Sequence, residues 1–417
     1  MYKNNIFSGL RFCRASWLTL FAFQLFCMAG VHGQNHSTDG SSPYTLDLPP
    51  SARIVFIGNS LMEEASQYGI LEWLFVNAWP EKHLTFRNLG WSGDTADGKA
   101  RSYISRPPEP YDLLIQQIDT LQPALVVVGY GGVESSMGKA GLDDFGASLQ
   151  RLVDDIDSLG AQSLLLSTIP QFAPEGLSVD VSRVNANLSL YSGKIKELAN
   201  LNGKPFVDLF PVFSELGKTY YTRNGLHLNG KGYYTMGKMI LNSLGYSIPE
   251  WKLTIDVKNQ EIKTSAGIEV VGQNLSRTDV DFKFQSRVQP VLVDDRNILP
   301  QKLIVKGLKK GVYGLSIDGE NILAASSSDF AEGVTIEQGP SFDRARMVQH
   351  MFQEIKDLYF WEYRPLNRTY LVGFRRYEQG QNTYELGVNS LFINRLEDKI
   401  FQMNTREPQS FRLVRIN

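Results

Sequence analysis

The sequence predicts an α/β sandwich, a parallel sheet between layers of helices, followed by a smaller antiparallel β domain. Three observations carry this. Arg53-Ile54-Val55-Phe56-Ile57, Leu84 to Asn88, Leu125 to Val128, Leu164 to Ser167 and Phe206 to Leu209 are short apolar runs. Such runs mark strands buried on both faces. Helical stretches separate them, as parallel strands require. After Pro249 the pattern changes to period two, as in Leu253-Thr254-Ile255-Asp256-Val257, which marks strands with one face in water.

Taken in order, residues 34–50 read as a linker ending in Pro49-Pro50. The first strand runs into Gly58-Asn59-Ser60 and a helix from about Leu61 to Ala78. Leu142 to Leu159 reads as a helix, with Leu149, Leu152, Val153 and Ile156 on one face and Gly160 as its C-cap. Pro170 stops the strand before it, Val184 to Leu201 forms the next helix, and Tyr233 to Leu244 closes the domain. Residues 51–248 are thus one α/β domain. Six strand-like runs between Trp251 and Ile317 define a β domain over 251–335, or else a long edge decoration of the first domain. Residues 336–417 form a helical and aromatic, basic segment. Its helix, about Phe342 to Tyr359, places Met347, Met351, Ile355 and Leu358 on one face. The density of Trp, Tyr and Arg from Tyr359 to Gly380 suits a core seam or a recognition surface.

Composition excludes several function classes. The 417 residues are 42% hydrophobic and 21% charged, with a formal net charge of −2; a nucleic-acid partner calls for a strongly basic chain. Lys3, Arg11 and Arg14 precede the apolar run Trp17 to Ala29, and Val31-His32-Gly33 supplies small residues for cleavage. Residues 1–33 therefore read as a secretory signal peptide; the run falls short of the roughly 17–25 residues of a membrane span. The expected location is periplasmic or extracellular, and no later stretch is apolar enough to span a membrane. Both cysteines, Cys13 and Cys27, would leave with the signal. A thiolate nucleophile, a disulfide and a cysteine metal site are then excluded. His83, His227 and His350 are scattered, and His36 lies in a polar tail, so neither a metal nor an organic cofactor is expected.

Three places carry chemistry. Ser60 follows a strand and a tight turn and precedes a helix, at the carboxyl edge where open α/β sheets bind ligands. A serine there can also simply cap its helix. His227, in Tyr221-Thr222-Arg223-Asn224-Gly225-Leu226-His227-Leu228-Asn229, lies in the loop before the last helix, on the same edge. It can take the proton of a serine hydroxyl, or be a packing histidine. Gly90-Trp91-Ser92-Gly93-Asp94-Thr95 follows the second strand, and Gly93 would let its backbone N–H approach an oxyanion.

These segments resemble the secreted SGNH (GDSL-like) hydrolases. Ile57-Gly58-Asn59-Ser60-Leu61 is similar to the nucleophile block, with Asn59 where Asp is usual. Asn88-Leu89-Gly90-Trp91-Ser92-Gly93-Asp94-Thr95 and Gly225-Leu226-His227-Leu228-Asn229 resemble the second and last blocks. The resemblance covers about residues 50–247 and implies a flavodoxin-like α/β/α sandwich, a Ser60 nucleophile, a His227 base and a Gly93 oxyanion donor. Segment 361–380 also looks like one found in larger bacterial members. Two positions depart. The third block usually reads Gly-x-Asn-(Asp/Glu), whereas Gly131-Gly132-Val133-Glu134 stands here; losing one oxyanion donor typically costs about 10²–10³ in rate. The acidic residue three before the histidine is Asn224. An amide can accept from the ring but cannot stabilise an imidazolium, and in a serine-protease triad that change costs roughly 10⁴.

Glu134, Asp94 or a backbone carbonyl can orient His227 instead, and Arg364, Arg375 or Asn367 can supply the missing donor if the C-terminal segment folds back over the site. The expected catalytic set is Ser60, His227, Asn224 and Gly93, with Asn59, Trp91, Glu134, Arg364 and Arg375 binding substrate. The expected activity is that of a serine carboxylesterase on acyl groups, with an acylated polysaccharide as substrate. The alternatives are a non-catalytic carbohydrate-binding protein on a degenerate hydrolase fold, and a structural or assembly module in which the β domain does the work.

Overall fold

The computed structural model describes residues 46–103, 108–293, 296–364, 383–404 and 406–416. The expected signal peptide, Asn367 and Arg375 lie outside the described residues. Five strands form the central sheet: β1 (Ser51–Gly58), β2 (His83–Asn88), β3 (Leu125–Gly129), β4 (Gln162–Leu166) and β5 (Phe206–Val207). All pair in parallel, in the order β2-β1-β3-β4-β5. Residues 54–57 and 125–128 are buried throughout, which is why these runs are apolar without alternation. The strand order reverses between β1 and β3, and the crevice at their carboxyl ends is the natural ligand site of such a sheet.

The helices of this domain are α1 (Ser60–Ala65), α2 (Ile70–Ala78), α3 (Pro110–Leu121), α4 (Leu142–Ser158), α5 (Ser182–Leu201), α6 (Leu209–Leu216), α7 (Lys218–Tyr221) and α8 (Gly230–Ser243). α2 packs on α8, while α3, α4 and α5 pack in succession, giving a three-layer sandwich. The single helix expected from about Leu61 to Ala78 is two. Gly69 divides them at φ +61, where a Cβ would lie 2.7 Å from the backbone oxygen of Gln349. The C-terminal region approaches so closely that only glycine fits. α3 carries no strand-helix contrast in sequence, yet buries Tyr111, Leu114, Ile118 and Leu121.

The remaining strands are β6 (Trp251–Asp256), β7 (Glu261–Thr264), β8 (Ile268–Leu275), β9 (Asp279–Ser286), β10 (Leu292–Val293), β11 (Arg296–Asn297), β12 (Gln301–Lys306), β13 (Val312–Ile317) and β14 (Glu320–Ser326). After them come α9 (Ser327–Glu332), β15 (Val334–Ile336), α10 (Pro340–Tyr363), α11 (Thr383–Met403) and β16 (Gln409–Arg415). They build sheets in the orders β15-β12-β6-β7 and β14-β13-β16-β9-β8, with a β10-β11 pair. Period two holds: in β9, Val280, Phe282 and Phe284 face in, and Asp281 and Lys283 face out. One ladder, β6 with β12, is parallel, the exception in an otherwise antiparallel region. The β region also extends past residue 335, because β16 is the middle strand of its larger sheet.

α10 and α11 leave this region and cover the β2 edge of the central sheet. Arg87 of β2 forms an ion pair with Glu397 of α11 at 2.5 Å, both side chains buried. His83 Nε2 lies 3.6 Å from Asp398. The buried face of α10 is Phe342, Ala345, Val348, Phe352, Ile355 and Tyr359, with Met351 beside it. Met347, expected on that face, is 47% exposed, because the helix buries the stripe one position further round.

Glu72 of α2 is buried, and its Oε2 has no hydrogen-bond partner among the described residues. Burial pushes this carboxyl up to about 7. The folded state therefore holds the proton more tightly than the unfolded chain, and Glu72 adds stability at low pH that is lost as pH rises from about 4.5 through 7. The effect amounts to roughly 3 kcal/mol by pH 8. Glu72→Gln is expected to flatten the fall in stability between pH 5 and pH 8, as measured by urea unfolding at each pH.

Candidate active site

β1 ends at Gly58, and the chain turns sharply into α1. Asn59 is the N-cap, its Oδ1 accepting from the Leu61 N–H at 3.0 Å. Capping thus falls to Asn59, and Ser60 is the first helical residue, half-buried on the wall of a cavity of about 370 Å³. Asn59, Ser60, Val133, His227, Leu226 and Thr168 are among its lining residues. The structure therefore brings the expected nucleophile and base to one cavity at the carboxyl edge. Gly132, also in the wall, would place a Cβ 3.1 Å from Asn59 Nδ2, so that amide nitrogen faces the turn that holds Val133.

The His227 loop and the helix α8 that follows it are each tied to the serine's helix. Arg223 forms an ion pair with Glu64 of α1, and the Tyr233 hydroxyl donates to the Leu61 carbonyl at 2.9 Å. Within the loop, Gly225 adopts φ +87, where a Cβ would lie 2.4 Å from the Phe172 oxygen. Asn224 stands beside the ring, but its oxygen is turned away. Oδ1 accepts from the backbone N–H groups of Leu226 at 3.1 Å and His227 at 2.9 Å. Nδ2 therefore faces His227 Nδ1, at 3.2 Å. The expected contact, an amide oxygen accepting from the ring, is not the one formed, because the backbone of the tight loop has claimed that oxygen.

The 90–95 loop is held from below. Asp94 and Arg101 form a fully buried ion pair. Asp94 also accepts from the Tyr130 hydroxyl at 2.9 Å and the Ala100 N–H at 3.0 Å. Burial and the neighbouring Asp94 charge push the Tyr130 hydroxyl well above its usual value, which keeps it a donor. Asp94 is thus committed to this loop rather than to His227. Glu134 is committed likewise: Oε1 accepts from Ala96 N–H and Oε2 from Gly131 N–H, both at 2.9 Å. Burial raises its pKa, and these backbone bonds oppose the rise. Glu134 so joins the second and third loops instead of facing substrate. Gly93 is exposed at φ +80 with no atom within 4 Å of its Cβ position, but it is not part of the cavity wall.

The C-terminal region does reach this loop. Arg364, after α10, bonds Glu63 Oε1 at 2.5 Å and the Gly90 carbonyl at 3.3 Å. Its guanidinium lies 3.5 Å over the Trp91 ring. The Tyr363 hydroxyl donates to the Gly90 carbonyl at 3.1 Å. Glu63 Oε2 in turn accepts from the Ser92 N–H at 2.7 Å. Trp91 is 4% exposed, so it is a floor beneath the loop rather than an open stacking surface, and Arg364 holds that floor from outside the Ser60 cavity. Sequence reasoning did not single out Glu63, Arg101 or Tyr130. The partners of Glu63 and Tyr130 are distant in sequence, and Arg101, seven residues after Asp94, belongs to no motif of its own.

A serine-bearing turn after β1, a histidine loop before the last helix and a cavity lined by both fit a hydrolase of the ester-cleaving class. Residues 56–234 match the model of the GDSL-like Lipase/Acylhydrolase family. It is similar in fold to a gut microbial diltiazem-metabolizing enzyme, at 16% identity and a TM-score of 0.68, covering 90% of this chain and 100% of that one. It also resembles an acetylxylan esterase from Geobacillus stearothermophilus (20% identity, TM-score 0.37, covering 47% and 95%). A Parabacteroides merdae protein described as a GDSL-like lipase gives 15% identity and a TM-score of 0.39, covering 48% and 99%. No curated protein matches the chain. Among the described residues no helix is long and apolar enough to cross a membrane, and no group of three or more His, Cys, Asp or Glu side chains is placed to hold a metal.

Arg364→Ala is expected to free Glu63 and loosen the 90–92 turn. Amide hydrogen exchange at Ser92 should quicken, and stability should fall by about 1 kcal/mol in urea unfolding, since the buried guanidinium's hydrogen bonds are lost while Glu63, only partly buried, regains water.

Proposed function

We propose that the chain hydrolyses small acyl esters with Ser60 as nucleophile, and that acylated carbohydrate is its substrate class. The observation that carries this is the shared cavity of Ser60 and His227 at the sheet's carboxyl edge. Ser60 Oγ bonds to the acyl carbon while its proton passes to His227 Nε2, and the ring returns it to the leaving alkoxide. Water then attacks the acyl-enzyme, again through His227, and the acid departs. The Ser60 N–H, a first-turn donor without a partner inside its helix, and Asn59 Nδ2 are the donors nearest the developing oxyanion. Gly93 N–H would join them if its loop closes on substrate. Leu61, Val133, Ile169, Leu188 and Leu226 give the cavity an apolar side, and Ser136 and Gln171 a polar one, which suits a short acyl group joined to a hydroxylated alcohol. Trp361 and the aromatic C-terminal segment, together with the signal-like N-terminus, support an exported enzyme working on polymer.

A second reading has its own observation. With Val133 in the third loop and an amide nitrogen facing His227 Nδ1, the same cavity can bind esters or sugars without turning them over. Hydrolysis of aryl acetate and butyrate esters by the chain lacking residues 1–33, beside its Ser60→Ala variant, separates the two. Activity that falls by about 10³-fold or more in the variant is expected. Equal background rates from two folded proteins would favour the binding reading.

A further inference from the structure

The Asn224 contact has a consequence for the ring itself. We infer that Asn224 holds neutral His227 with its proton on Nε2, so that the resting protein presents this nitrogen to the cavity as a donor, and Asn224 restrains the proposed esterase. The inference rests on the reading of His227 as the base. An amide can be turned over in principle, but this one is locked. Two backbone N–H groups, of Leu226 and His227, donate to Oδ1. Reversing the amide would set its NH₂ against both of them. Nδ2 therefore stays opposite Nδ1 at 3.2 Å, and an NH₂ group has only hydrogens to offer. Nδ1 must be the acceptor, so the single proton of the neutral ring sits on Nε2.

That tautomer cannot accept the Ser60 proton through Nε2. To become the base, the ring must move its proton to Nδ1, which sets N–H against NH₂ and forfeits the hydrogen bond. A carboxylate at 224 would reverse the preference without altering the loop. One oxygen would keep the two backbone bonds, and the other would accept from Nδ1–H. Asn224 is thus a positioning residue that acts through His227, and its effect should fall on kcat rather than on KM.

The test is made on the full chain, ¹⁵N-labelled at its five histidines, with the His227 signal identified by its loss in His227→Gln. Two-bond correlations from the ring carbon-bound protons distinguish a protonated from an unprotonated nitrogen directly. The expected result is Nε2–H in the unaltered protein and Nδ1–H in Asn224→Asp. The variant should raise kcat for an aryl acetate about tenfold or more with KM nearly unchanged, some part of the roughly 10⁴ that such a tautomer error costs a serine protease. Nδ1–H in the unaltered protein would overturn the inference, and so would an Asn224→Asp variant with Nδ1–H but an unchanged Ser60-dependent rate. If the tautomers are as expected and neither protein shows Ser60-dependent turnover, the tautomer assignment stands and the esterase reading fails.

Discussion

The first turn of α1 wedges between three strand ends, and the site depends on the room made for it there. Gly58, Gly90 and Gly129 lie at or just past the ends of β1, β2 and β3. A Cβ on Gly58 would come 2.5 Å from the Gly129 oxygen and 2.7 Å from Met62 Cγ, and one on Gly90 would come 2.4 Å from the Glu63 nitrogen. Met62 is fully buried in the space those glycines leave. Because Met62 is seated, Ser60 two residues earlier can take only one place, at the mouth of the crevice where the strand order reverses.

Around this wedge, polar groups are spent on holding loops rather than on facing substrate. Asp94, Glu134, Glu63 and Arg364 each look like chemistry in the sequence or the site, and each is engaged with backbone or with another buried charge. The loops they fix are the second and third of the site. Among the described residues, the polar groups the cavity wall offers a ligand carry little charge: the Ser60 hydroxyl and N–H, the Asn59 amide nitrogen, Ser136, Gln171 and the outer face of His227. A site so sparing in charge suits a neutral ester better than an anionic one.

The sheet was legible in sequence because burial on both faces leaves apolar runs that nothing else explains, as in Leu125 to Val128. The serine and histidine that share the cavity stood out because Ser60 follows a strand at a turn with Gly58, and His227 lies in a loop with Gly225 just before the last helix of the domain. Less could be read where partners are remote. β16 pairs with β9 and β13, and no local pattern announces that a strand near the end of the chain belongs in the middle of a sheet. The break at Gly69 depends on Gln349, and the burial of Trp91 on Arg364 and Tyr363. The direction of the Asn224 amide is set by two backbone hydrogens, which a motif of residue types does not encode.

The central position of β16 bears on how the protein comes to be folded at all. Its neighbours β8, β9, β13 and β14 are synthesised long before it, and without it they are two separate ribbons, each with an unpaired edge and an uncovered apolar face. Between them and β16 the chain departs to build α10 and α11 on the other domain. The larger β sheet therefore cannot close until residues 409–415 are in place. The sheet is thus joined by its most distant segment in sequence, so its two ribbons depend on a contact that spans the whole of α10 and α11.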